Sequence, residues 1–224
     1  MSTTLGNVLT GLAYRLGETS SPSDTDERAR RVNFIVDAYR QLLRRNTWWW
    51  TEESTTFNSV ADQEEYTTSD GFPTDFRDMV ELRVDDKLYT PISLQKITGL
   101  YDQTNNFFNY DNLVTDKHWY IFDGVLHILP KTPANGTNNI KMKYYKMPTM
   151  PSSDSDVLAI PDQFTSGLEA YAYGRIKQTK GKRGESADGF AEFNSMLSDM
   201  TVEQNKRNFW NKSIRPIEPV YLVD

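Results

Sequence analysis

The spacing of apolar residues changes twice along this chain, and that change constrains the fold more than any other feature. Near the N-terminus Leu5, Val8, Leu9, Leu12 and Leu16 recur at helical spacing and make one apolar stripe. Thr3 or Thr4 can cap the start and Gly17 can close the end, which predicts a helix over about Thr4–Leu16. Ser20-Ser21-Pro22-Ser23-Asp24 reads as a linker. A second stripe, Val32, Ile35, Val36, Tyr39, Leu42 and Leu43, predicts a helix over about Asp26–Arg45. Arg28, Arg31, Arg40, Arg44 and Arg45 lie mostly off that stripe.

The period then falls to near two. Trp48–Val60 reads as a strand and Gln63–Thr67 as its short return. Val80, Leu82 and Val84 alternate with polar residues, Asp85-Asp86 makes a turn, and Leu88, Thr90 and Ile92 carry the next strand. Ser93–Leu100 reads as a short helix, and Thr104–Lys117 as a polar, aromatic loop without a period. The clearest hairpin joins His118–Phe122 to Val125–Leu129, because Asp123-Gly124 suits the positive φ of a type I′ turn. After a turn at Pro133–Gly136, Ile140, Met142 and Tyr144 mark a last strand.

Helical spacing returns after a connector over Met147–Pro161. Phe164, Leu168, Tyr171, Ala172 and Ile176 form a third stripe, opened by Pro161-Asp162. Lys180–Gly184 breaks it, and Phe190, Phe193, Leu197, Met200 and Gln204 mark a fourth helix over about Glu185–Phe209. The fold class expected is α+β, with a four-helix base formed by both chain ends, an inserted antiparallel β module of about six strands, and an extended C-terminal tail. The domains expected are 1–46 with 147–209 (helical core), 47–146 (β domain) and 210–224 (docking tail).

Composition closes off several kinds of chemistry. Aromatic residues are 12% of the 224, too many for a disordered chain and suited to broad contact surfaces. The net charge is -6, so a whole-protein cationic footprint for nucleic acid is absent. Zero cysteine excludes disulfides, thiolate zinc sites, iron–sulfur clusters and cysteine nucleophiles. No apolar run reaches the length of a membrane span, and Met1–Leu5 opens neither the charged nor the apolar region of a signal peptide, so no membrane partner is expected.

Candidate reactive groups are sparse. In the type I′ register, Phe122 pairs Val125, His118 pairs Leu129 and His127 pairs Tyr120, which makes His118 and His127 near-diagonal neighbours on one face. A two-histidine metal site there lacks an HExxH motif and a third ligand, and the plain alternative is a polar cross-strand face. No GxSxG elbow supports a serine triad. Glu52, Glu53, Glu64, Glu65, Asp70, Asp75 and Asp78 could supply a glycosidase pair only with a geometry that sequence does not give, and most fall in solvated turns. Gly174, Gly181 and Lys182 miss the P-loop spacing, and Arg183 stands where Ser or Thr is needed. No cofactor or metal is expected.

Contact candidates are richer. Lys177, Lys180, Lys182 and Arg183 form a basic patch, either cations at a helix C-terminus or a contact for DNA or an acidic neighbour. In a strand, Trp48-Trp49-Trp50 would point to alternate faces, so at least one would look outward or onto another chain. Phe107, Phe108 and Tyr110 stand in a stretch too polar to form a core of its own, which marks it as a contact loop. The tail combines Pro216 and Pro219 with Trp210, Ile214, Ile217, Val220, Tyr221 and Leu222, too apolar for a freely solvated end and suited to a groove or sheet edge of another chain.

The order of these elements resembles the head-to-tail adaptor, or connector, proteins of tailed bacteriophages, particularly short-tailed ones. The residues that carry the likeness are Arg15-Leu16-Gly17-Glu18-Thr19 after the first helix, Val32–Arg40 in the second, and Trp48-Trp49-Trp50. They continue with Tyr66, Phe72-Pro73-Thr74-Asp75-Phe76, the Val80–Ile92 hairpin with its Pro91-Ile92-Ser93 exit, and the Tyr120–Leu129 hairpin. Met142-Lys143-Tyr144-Tyr145, Ile160-Pro161-Asp162-Gln163-Phe164 and Ala170-Tyr171-Ala172 complete the set, over about residues 5–205. The Thr104–Lys117 loop and the tail after Phe209 depart from the shared pattern.

The resemblance implies a structural virion protein at the head–tail junction, assembled in the host cytoplasm. Such proteins form a ring, usually of twelve copies, beneath the portal protein. The ring extends the DNA channel, through which DNA passes without sequence-specific binding, and receives the tail nozzle or tube and sometimes fibres. Many are monomers until they meet the portal. No catalytic residue carries over. Two rival readings are a virion-associated cell-wall hydrolase and a nucleic-acid-binding module built on Lys177–Arg183.

Overall fold

The structure, a computed structural model, describes residues 3–93 and 117–213, with side chains to Arg207. It is mixed α+β, with four α-helices and seven strands among the described residues. The chain separates into two compact units, Met1–Trp50 with Thr149–Asp224, and Thr51–Pro148.

In the first unit, α1 spans Leu5–Arg15 and α2 spans Thr25–Arg45. Thr4 caps α1 by accepting the Asn7 amide, and Asp24 caps α2 by accepting the Glu27 amide at 2.7 Å. Two more orphan donors at the start of α1, the amides of Leu5 and Gly6, bond the carbonyls of Asp156 and Asp154 in the connector. The end of α1 is a Schellman turn. Gly17 takes φ 81°, and the amides of Gly17 and Glu18 bond the carbonyls of Tyr14 and Ala13.

From the C-terminal half, α3 (Thr165–Thr179) and α4 (Arg183–Ser213) enter the same unit. One apolar cluster gathers the stripes of all four helices, including Leu5, Leu9 and Leu12 with Ile35, Tyr39 and Leu42, and Leu168, Ala172 and Ile176 with Phe193, Leu197 and Met200. Leu158 and Ile160 of the connector are buried in it too. The expected end of the last helix needs correction, because α4 continues through Trp210 to Ser213. Nothing before Pro216 forbids helix, and a proline disfavours helical backbone only in its immediate predecessor and in the turn it would cap. An extended tail therefore starts no earlier than Ile214.

Glycine sets how closely α3 and α4 approach. A Cβ on Gly189 would stand 2.6 Å from the Ala170 carbonyl oxygen and 2.9 Å from the Gly174 amide nitrogen, both backbone atoms. At Gly184, five residues earlier on α4, a Cβ would meet nothing within 4 Å. Gly189→Ala should lower stability by about 1–3 kcal/mol through overpacking, while Gly184→Ala should raise it by about 0.5–1 kcal/mol. Thermal melts of the two variants check this, and shifts of the same sign would contradict the packing described.

The tryptophan run departs from expectation. Trp48 precedes a 3-10 turn at Trp49–Thr51, and the strand begins only at Glu52. The turn replaces strand alternation and gathers the three indoles. Trp48 stacks on Trp50 with centroids 5.0 Å apart, and Trp49 meets Trp50 edge-on at 4.6 Å. Trp48 is buried, with its Nε1 donating to the Leu42 carbonyl at 2.8 Å, and Trp49 and Trp50 pack half-buried against the helical core.

In the second unit the sheet order is β1-β7-β3-β4-β5-β6-β2, with β1 Glu52–Ser59, β2 Glu65–Tyr66, β3 Phe76–Val84, β4 Lys87–Pro91, β5 His118–Phe122, β6 Val125–Leu129 and β7 Gly136–Lys146. Asp123 and Gly124 both have positive φ, and the hairpin pairs His118 with Leu129, Tyr120 with His127 and Phe122 with Val125, the register the Asp-Gly turn predicts. Phe57, Tyr66, Leu82, Tyr89, Leu126, Ile128 and Met142 fill the core of this unit.

Four details differ from the sequence reading. The pair β4–β5 is parallel, through Thr90–His118 and Pro91–Trp119, so the module is not wholly antiparallel. The long connection from Ile92 to Lys117 permits this, since parallel neighbours need a crossover. β2 pairs β6 and is not a return of β1. A bulge lies between Met79 and Glu81, and it turns Val80 outward, 43% exposed. The two-residue Asp85-Asp86 turn pairs Leu82 with Tyr89, so Tyr89 faces inward and Leu88 outward.

Candidate functional site

The four cations Lys177, Lys180, Lys182 and Arg183 fall at the corner where α3 ends and α4 begins. Lys177 lies in the last turn of α3, Lys180 is its C-cap, and Arg183 opens α4. Glu185 sits among these cations. It pairs with Lys177, with Lys182 at 3.1 Å, and accepts the Tyr173 hydroxyl at 3.0 Å. The ammonium of Lys177 also stands 4.9 Å from the centre of the Tyr173 ring. Lys177 and Lys182 are therefore paired within the subunit, while Lys180 and Arg183, both exposed, form no salt bridge among the described residues.

Those hydrogen bonds, Lys177 first, pull the Glu185 carboxyl down from its ordinary 4.5 to about 2. A folded-state value below the unfolded one gives a contribution present above the ordinary carboxylate range and lost as pH falls through about 2. A carboxyl titration followed by NMR should therefore place Glu185 near 2 in the folded protein and move it upward in Lys177→Gln. An ordinary midpoint in the wild-type chain would contradict this corner.

Two further arginine clusters act as structural pins. Arg15 on α1 donates through Nη1 and Nη2 to Glu192 of α4, at 2.8 and 2.5 Å, and through Nε to Glu169 of α3 at 3.2 Å. Burial, only partly offset by Arg15, raises the Glu169 carboxyl above its ordinary value. Arg31, expected mostly off the buried stripe, is 3% exposed. Its guanidinium takes both oxygens of Glu18, at 2.7 and 2.8 Å, and Glu27 at 3.0 Å. A bidentate carboxylate partner is what lets an arginine be buried there.

The histidine hairpin is packed and has no metal-site geometry. Tyr120 stacks on His127 with centroids 4.3 Å apart, and His127 Nδ1 is buried 3.9 Å from one oxygen each of Glu64 and Glu65. His118 Nδ1 instead meets the Thr90 hydroxyl at 3.0 Å. Among the described residues no group of three or more histidines and carboxylates could hold a metal ion. Of the carboxylates singled out, Glu53 pairs Lys146 at 2.6 Å, Asp75 accepts the Tyr144 hydroxyl at 3.0 Å, and Asp70 caps Thr67. Each has a structural partner.

Sequence patterns did not single out the cleft between β3 and β5. Among the described residues β4 pairs β3 only at Leu82–Val84, and no described strand pairs Phe76–Met79 on that side. The opening, about 410 Å³, is lined by Phe76, Arg77, Met79, Ile92, Trp119 and Tyr120. The roles of Gly189, Arg31 and Glu185 are also missing from the sequence, where Arg31 reads only as a residue off the second stripe and Glu185 only as the start of the fourth helix. Their only advance signals are small residues facing each other across two helices and charges that balance only in three dimensions. Phe107, Phe108, Tyr110, Ile214, Pro216, Ile217, Pro219, Val220, Tyr221 and Leu222 lie outside the described residues, as does Leu94–Leu100 of the expected short helix, and Trp210 is described only as helical backbone.

A family model described as SU10 adaptor protein matches residues 3–217, nearly the whole chain. The chain belongs to the SU10 adaptor protein family and is a bacteriophage structural adaptor of the head–tail junction. No curated protein matches it. No helix among the described residues is long and apolar enough to cross a membrane.

Proposed function

We propose that this adaptor assembles as a ring, of twelve copies, between the portal protein and the tail nozzle or tube. It extends the DNA channel and attaches the tail. The family match over residues 3–217 carries this reading. The charge of -6 supports it, because a strongly cationic lining would hold DNA as it passes.

Each contact region has its own role in this account. The tail from Trp210 to Leu222 grips the portal or a neighbouring adaptor. Phe107, Phe108 and Tyr110 face a tail component. Lys180 and Arg183, with Lys177 and Lys182 held by Glu185, meet an acidic neighbour. Immunogold labelling of virions with antibody against the chain should mark one vertex of each particle, at the junction. Label spread over the capsid would contradict the proposal.

A further inference from the structure

The cleft between β3 and β5 combines three properties. Its walls are aromatic, from Phe76, Trp119 and Tyr120, and these rings are only half-buried. It holds a cation, since Arg77 lines it and Arg77 Nη1 is buried with no hydrogen-bond partner. A buried donor left unpaired is costly, and a carboxylate is the partner a guanidinium fits best. Among the described residues lining the cleft the one carboxylate is Asp78, which is exposed, and its Oδ1 accepts the Met79 amide at 2.9 Å.

The same chain carries a segment with the complementary chemistry. Three residues beyond the end of α4 comes Pro216-Ile217-Glu218-Pro219. Two prolines three apart favour the polyproline II helix, where about three residues make a turn and both rings share one face. Such segments dock in aromatic-lined grooves at low entropic cost. Glu218 then lies on another face, next to the second proline. Four residues of this helix span about 12 Å, within the roughly 17 Å of a five-residue strand such as β5.

We propose that the β3–β5 cleft receives the Pro216–Pro219 segment of a second copy of this chain, with the prolines on the aromatic wall and Glu218 on Arg77. The proposal rests on the reading of the tail as an assembly anchor and names where it anchors. An assembly anchor acts between chains, and the Glu218 carboxylate and paired prolines complement the cation and aromatic wall of this same chain's cleft, so the occupant is taken from an adjacent copy.

A fluorescein-labelled peptide of residues 213–224, titrated with the full chain, tests this by anisotropy. Saturable binding is expected. A peptide carrying Glu218→Arg should bind about tenfold more weakly, the loss of one charge-assisted pair. That arm leaves the protein untouched and so does not depend on a variant folding. The full chain carrying Arg77→Glu, its fold checked by melting, should also bind the native peptide about tenfold more weakly. It should regain affinity for the Glu218→Arg peptide. Equal affinity in all pairings, or no saturable binding, would overturn the cleft assignment.

The chain has no cysteine, so Asp78→Cys with Val220→Cys gives an unambiguous cross-link. Oxidation of the assembled protein should give linked oligomers, and linkage confined to monomers would overturn the second-copy assignment. If a chain ending at Ser213 still joins portal rings, the anchor reading itself fails. If that chain does not join but no cross-link forms, the cleft assignment fails alone.

Discussion

Trp48→Ala is expected to lower stability by about 3–5 kcal/mol, the largest single-residue effect anticipated in this protein. Trp48 is the largest of the fully buried side chains. Truncation removes the stack on Trp50, the bond from Nε1 to the Leu42 carbonyl, and contacts with the helical core. It also opens a cavity under the 3-10 turn, whose Trp49 amide is held by the Gln204 side-chain oxygen at 2.9 Å and so resists collapse into it. Leu12→Ala and Phe193→Ala, at the two ends of the chain, should each cost about 2–5 kcal/mol, because both side chains lie in the same cluster. Denaturant midpoints measure all three. Wild-type midpoints for Leu12→Ala and Phe193→Ala together would mean that the two ends do not share a core.

The second large effect concerns assembly. A chain ending at Ser213 keeps every described helix and strand, so its circular dichroism should match that of the full chain. It should nevertheless lose attachment to portal rings. The 11 residues removed hold two prolines and a run of apolar side chains, the composition of a segment ordered against another chain. Ending at Ser213 matters, because a cut at Phe209 would also shorten α4. Co-sedimentation of the shortened chain with portal rings reads the outcome, and undiminished binding would transfer the anchor to the helical unit.

The parts of this fold legible in the sequence are those with a strong local period or a restrictive turn. Four apolar stripes gave four helices, since a helix must bury one face. Asp123-Gly124 gave a hairpin and its register, since few residues accept two successive positive φ values. Features set by non-local contact were not legible. Tyr89 and Leu88 exchange faces because of the Asp85-Asp86 turn, and Val80 turns out because of a bulge that no residue type announces. Arg31 reads as a surface cation until Glu18 is brought to it by the Schellman turn after α1. The contact regions proposed are legible only as composition, as aromatics and prolines without a period, because a surface leaves no local repeat in the sequence.

The central claim is that this adaptor is a ring-forming link beneath the portal. The most direct test is the mass of the purified chain, alone and mixed with the portal protein of the same virus, by light scattering after size exclusion. The account predicts a single 25.9 kDa species alone, and with the portal a complex carrying one adaptor for each portal subunit. A chain that stays at its monomer mass in the presence of assembled portal rings would contradict it.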